Sequence, residues 1–111
     1  MELDDFFEVS ILLTYYKNLL SKKQNLYMEE YFENDLSLTE IGDKYDVTRQ
    51  AVYENIKKGS LKLKDYEEKL EFYKKERNLK KELQELENDF SEEKLEKILK
   101  QFQIWEVSYV R

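Results

Sequence analysis

The chain has no cysteine, no histidine and no proline, and only two glycines, Gly42 and Gly59. Without cysteine there are no disulfides and no thiolate chemistry. Without histidine there is no imidazole general base, and zinc sites built on His and Cys are excluded. Two isolated glycines cannot form a loop that cradles phosphate. No apolar run approaches the ~20 residues that span a bilayer. The start, Met1-Glu2-Leu3-Asp4-Asp5, is acidic and lacks the basic flank of a secretory signal. These absences favour a cytoplasmic, non-enzymatic protein with no metal, no cofactor and no membrane insertion. Scarce glycine and missing proline suit long helices and give hairpins little support, so an all-α fold is expected.

The 111 residues are 41% hydrophobic and 40% charged, enough for a modest core beneath a very polar surface. The net charge of −6 opposes non-specific nucleic-acid binding, which depends on phosphate neutralisation. The charge is uneven. Residues 1–36 carry eight acids and three bases, residues 37–66 five and six, and residues 67–111 twelve and ten. The middle third alone is not acidic, and Arg49, Lys57, Lys58, Lys62 and Lys64 fall within it. Adjacent acids such as Glu29 and Glu30, or Glu67 and Glu68, point to different sides of a helix. A charged helix surface explains them without catalysis.

Apolar spacing predicts the elements. The first helix is expected over about Asp4 to Leu20, with Leu12, Tyr15, Tyr16, Leu19 and Leu20 on a buried face. Ser21 and Gln24 form a capping box for the second helix, which ends at the polar Glu33-Asn34-Asp35. Ser37 and Glu40 form another, opening a short helix with Leu38, Ile41 and Tyr45 on its apolar face. Gly42 inside that helix costs roughly 1 kcal/mol against alanine, and its presence points to close approach by another helix. Asp46 and Val47 make a tight turn, and Thr48 caps the next helix. Gly59-Ser60 either ends that helix or is passed through. One long helix is expected from Leu61 to about Phe90. Asn88 to Ser91 is a break, and Leu95, Ile98, Leu99 and Phe102 mark a last helix. The tail, with Trp105, Val107, Tyr109 and Val110, extends that helix or docks as an extended segment. This divides the chain into residues 1–60, carrying the N-terminal helices and the paired short helices, and residues 61–111, a helical C-terminal extension.

Residues 38–58 follow the grammar of a helix-turn-helix, with a shared core of Leu38, Ile41, Tyr45, Val47, Val52 and Ile56. The candidate DNA-binding residues are Thr48, Arg49, Gln50, Tyr53 and Lys57. The amides of the first turn and the Thr48 hydroxyl suit phosphate. Arg49 and Gln50 suit guanine and adenine edges. Tyr53 and Lys57 lie further along the same face. Asp46 stands where a turn often has glycine, Asn55 stands at an often apolar position, and Asp43 and Glu54 add negative charge nearby.

Ser37-Leu38-Thr39-Glu40-Ile41-Gly42 and Asp46-Val47-Thr48-Arg49-Gln50-Ala51-Val52 resemble region four of bacterial sigma factors, the promoter-reading domain. More specifically, the chain resembles the YlxM family of small helix-turn-helix proteins. The stretches that carry this likeness are Tyr16 to Gln24, Tyr31 to Ile41 and Val47 to Lys57, with Tyr66-Glu67-Glu68-Lys69-Leu70 also fitting. Tyr53 and Asn55, odd in a generic motif, fit this family. The likeness covers roughly residues 12–75. It implies a sigma-region-four-like fold and a DNA-binding regulatory role. It also implies a link to the signal recognition particle, because genes of the family neighbour those of that pathway.

Two functions follow as expectations. The first is a DNA-binding regulator that acts as a homodimer, since one copy of so small a motif buries little surface. The second is an interaction module for signal recognition particle RNA or proteins, in which the helix-turn-helix is an inherited framework and the acidic surface meets a basic partner. In that reading Tyr53 or Tyr45 would stack on an unpaired base.

Overall fold

The computed structural model describes residues 3–102, which form six α-helices, one 3₁₀ turn and no strand. They are α1 (Leu3–Tyr16), the 3₁₀ turn (Lys17–Leu19), α2 (Lys22–Phe32), α3 (Leu38–Tyr45), α4 (Arg49–Leu70), α5 (Phe72–Asn88) and α6 (Glu92–Lys100). None of these helices is long and apolar enough to cross a membrane. Two compact units divide after Tyr73. The boundary expected after residue 60 falls inside α4 instead.

In the first unit, α1, α2 and α3 pack around α4. Val52, Ile56 and Leu63 form a stripe down α4, and all three are fully buried. They meet Val9, Leu12, Leu13 and Tyr16 of α1, Tyr27, Met28 and Phe32 of α2, and Ile41 of α3. Each fully buried aliphatic side chain stabilises the fold by roughly 1.5–3 kcal/mol. Gly59 lies on the same stripe, where a Cβ would run into the Met28 sulfur. The helix passes straight through it. Ser60 caps nothing, because its hydroxyl donates to the Ile56 carbonyl at 2.8 Å, inside the helix.

Both capping boxes form. Ser21 Oγ accepts from the Gln24 amide at 3.1 Å, and Ser37 Oγ accepts from the Glu40 amide at 3.1 Å. In each box the N3 side chain accepts from the cap's own amide. The link between α2 and α3 turns at Asp35, which adopts φ 57°. Glu30 then ties the two helices together. Its buried carboxylate accepts from Asn34 Nδ2 at 2.7 Å, Lys44 Nζ at 2.5 Å and the Tyr45 hydroxyl at 2.8 Å. These donors, Lys44 first, bring its pKa down to about 2. A carboxyl depressed on folding contributes stability that is present above its ordinary range and lost as pH falls through the folded value. Acid titration followed by circular dichroism should therefore show a loss between about pH 4.5 and pH 2 that Glu30→Gln removes. An unchanged acid limb in that variant would rule out this role.

Two helix expectations need correction. The first helix stops at Tyr16 and tightens into the 3₁₀ turn. The change of period takes Leu19 off the buried face, leaving it 52% exposed, while Leu20 stays buried. The long helix expected over 61–90 does not exist as such. α4 begins at Arg49 and ends at Leu70, where Glu71 adopts the left-handed conformation with φ 55°. The break is fixed from far away. Tyr16 donates its hydroxyl to Glu67 Oε1 at 2.6 Å and accepts from the Phe72 amide at 3.1 Å, while Glu67 Oε1 also accepts from the Tyr73 amide at 3.1 Å. Free amides at the start of α5 are thereby satisfied. The Tyr16 ring also stacks on Phe72, with centroids 5.9 Å apart.

The second unit contains the remainder of α5, a break at Asp89 to Ser91, and α6. Ser91 caps α6 by accepting from the Lys94 amide, as its position before Glu92 and Glu93 suggests. Ile98 is its buried apolar residue, and Leu83, Phe90, Leu99 and Phe102 are exposed. The expectations for Trp105, Val107, Tyr109 and Val110 lie outside the described residues.

Candidate nucleic-acid interface

The tight turn between α3 and α4 is built by three residues. Gly42 gives the first condition: a Cβ there would stand 2.7 Å from the Val47 carbonyl oxygen and 3.4 Å from the Arg49 amide. The close neighbour is thus the turn and the first residue of α4, rather than a side of another helix. Asp46 gives the second. It takes the left-handed conformation with φ 55° and ψ 47°, and the amides of Asp46 and Val47 both donate to the Gly42 carbonyl. Aspartate tolerates that region better than most residues, so it serves where glycine is common. Thr48 gives the third. Its extended backbone starts α4, and its Oγ1 accepts from the Ala51 amide at 3.0 Å.

From that cap α4 projects the other candidates. Arg49, Gln50, Tyr53 and Lys57 fall within an arc of about 100° at 3.6 residues per turn. Val52 and Ile56 lie outside that arc and enter the core. Thr48, Arg49, Gln50 and Lys57 are exposed, and Tyr53 is half-buried. The five residues therefore share one accessible surface. No hydrogen bond or ion pair among the described residues engages the Arg49 side chain. Its planar fork is free to meet a carboxylate, a phosphate or a guanine edge. The Lys57 ammonium lies 6.0 Å from the Tyr53 ring centroid.

Gln50 is less free. Its Nε2 donates to Glu54 Oε1 at 2.8 Å, one helical turn on. To read an adenine edge it must exchange that partner. Asn55 has a structural use, since its Nδ2 donates to the Ala51 carbonyl at 2.9 Å, so a polar residue fits there. Tyr45 is not available for stacking on a base. It is half-buried against Tyr27, with its hydroxyl held by Glu30. Asp43, Asp46 and Glu54 are exposed and border the surface with negative charge. The capping boxes announced the short helices in the sequence. Nothing local announced the Gln50–Glu54 pair, because i, i+4 partners compete equally with solvent at an exposed site.

Comparison with known proteins agrees with this geometry. The model of the UPF0122 family, described as "Putative helix-turn-helix protein, YlxM / p13 like", matches residues 3–102. A UPF0122 protein of Fusobacterium nucleatum is 54% identical over 99 residues, covering 89% of this chain and 96% of the relative. A UPF0122 protein of Bacillus velezensis is 43% identical over 96 residues, covering 84% and 87%. One from Limosilactobacillus reuteri is 47% identical over 73 residues, covering 66% and 65%.

Proposed function

The chain belongs to the UPF0122 family of YlxM-like helix-turn-helix proteins, and from that premise we propose that it is a DNA-binding regulator whose reader is the first two turns of α4. One observation carries the reading. Thr48, Arg49, Gln50, Tyr53 and Lys57 lie on one accessible face, and the turn that aims it is fixed by Gly42 and Asp46. In this role Arg49 and Gln50 meet base edges, Thr48 and the first-turn amides meet phosphate, and Lys57 holds the flanking strand. The protein acts in the cytoplasm, without catalysis, and as a homodimer, because one such motif covers too little DNA for useful affinity. The process it regulates is the signal recognition particle pathway, on the strength of the family resemblance alone.

The test is fluorescence anisotropy at near-physiological salt. One ligand is duplex DNA from upstream of the protein's own operon. The other is signal recognition particle RNA. Saturable, salt-sensitive binding to the DNA supports the reading. Binding to the RNA alone, or to neither polymer by a folded protein, overturns it and turns attention to the targeting complex as the partner. The net charge of −6 is the observation that favours that outcome.

A further inference from the structure

We propose that the groove between α1 and α4 holds a short stretch of sugar–phosphate backbone of the bound DNA, with Lys57 and Lys64 as its phosphate contacts. The proposal deepens the DNA-binding reading and rests on it. The groove has a volume of about 350 Å³. That exceeds what one phosphate needs and lies within the size range of ligand sites. Val9, fully buried, forms part of its floor. The half-buried Tyr53 ring and the 59% exposed Leu61 give it apolar walls suited to a sugar face. Among the described residues that line it, Lys57 and Lys64 supply two cations and Asp5 of α1 supplies the one acid.

The groove continues the reading face. On α4, Tyr53, Lys64 and Lys57 sit at about 40°, 60° and 80° from Arg49, within the same arc as the candidate reading residues. Lys57 and Lys64 are about 10 Å apart along the helix, roughly three 3.4 Å steps of one strand. A strand leaving the first turn of α4 and running along that face thus meets Lys57 and then Lys64.

Lys64 already holds an anion. Its Nζ lies 2.9 Å from Asp5 Oδ1, and the two side chains are 34% and 46% exposed. An ion pair this open to water contributes little and exchanges readily. Asp5 therefore occupies the place of a phosphate, and DNA binding displaces it. Asp5 thus competes with DNA for the cation. Among the described residues no ion pair engages Lys57, whose ammonium lies 6.0 Å from the Tyr53 ring centroid.

The experiment is an anisotropy titration of the full chain against the upstream duplex over a salt series. The variants are Lys57→Gln, Lys64→Gln and Asp5→Asn, with Lys23→Gln, exposed on α2, as control. Each phosphate contact removed should lower the slope of log affinity on log salt by about 0.9, so Lys57→Gln and Lys64→Gln should each show that loss. Lys23→Gln should keep the original slope. Asp5→Asn should tighten binding at every salt concentration. If Lys64→Gln keeps the slope while Arg49→Ala still weakens binding by about 10-fold to 100-fold, the groove proposal is overturned and the first-turn reading stands. If the unaltered protein shows no saturable, salt-sensitive binding, both fall. Should Lys64→Gln fail to fold, Asp5→Asn decides, and an unchanged affinity in that variant overturns the proposal.

Discussion

Gly42→Ala is expected to destabilise the protein by about 1–2 kcal/mol, although alanine is the better helix former. Propensity alone would favour the substitution by roughly 1 kcal/mol. Against that, the new methyl would lie 2.7 Å from the Val47 carbonyl oxygen and 3.4 Å from the Arg49 amide. Both are backbone atoms, and the Val47 oxygen belongs to the turn that starts α4. They cannot turn aside as a side chain can. Overpacking of this kind costs about 1–3 kcal/mol, with more for an unyielding neighbour, so the steric term wins. At the size of the first unit the melting temperature should fall by roughly 4–16 °C. Gly59→Ala is the comparison. Its methyl would meet the Met28 thioether, whose flexible chain can move. That variant should stay within about 1 kcal/mol of the parent, because the propensity gain offsets the rearrangement. Thermal unfolding of the two variants side by side checks the account. Equal effects would mean that the turn yields as easily as a methionine. Gly42→Ala should also weaken DNA binding beyond its loss of stability, since the turn aims α4.

Arg49→Ala is expected to leave stability within about 0.5 kcal/mol, because the side chain is exposed and packs on nothing that the core needs. DNA affinity should fall by roughly 1–3 kcal/mol, on the order of 10-fold to 100-fold. Arg49→Lys separates the two ways an arginine can contribute. If it contacts phosphate, lysine keeps the charge and most of the affinity. If it forks onto a guanine, lysine loses discrimination between the cognate duplex and a scrambled one. Anisotropy with both duplexes distinguishes these cases. An Arg49→Ala protein that binds as the parent does would remove the residue from the interface.

Much of the first unit was legible from local chemistry. Ser21 with Gln24, Ser37 with Glu40, and Thr48 are caps whose partners lie three residues away, so the sequence states them directly. The tight turn was also legible, since Gly42 and Asp46 limit the backbone within a few residues. The end of α4 was not. The apolar stripe runs on through Leu70 and Tyr73, and Glu71 has no local tendency to stop a helix. What ends it is Tyr16, over fifty positions earlier in the chain, together with Glu67. The exposure of Leu19 was hidden for a related reason. A single 3₁₀ turn shifts the period by less than a residue, which is enough to move one side chain from core to water. At the candidate interface, the sequence placed all five residues on one face because a capped helix has a fixed period. It could not reveal that Glu54 holds Gln50, or that Asp5 of α1 reaches Lys64. Those contacts depend on rotamers and on how α1 packs.

The most direct test of the central claim is amide mapping by nuclear magnetic resonance. The isotope-labelled protein is titrated with the upstream duplex, and shift changes are followed residue by residue. The expected result is a contiguous set of changes over Thr48 to Lys57, extending to Lys64 and Asp5, with α6 unaffected. Saturable binding that instead perturbs α5 and α6, and leaves Arg49 and Gln50 unmoved, would contradict the assignment of α4 as the reading helix.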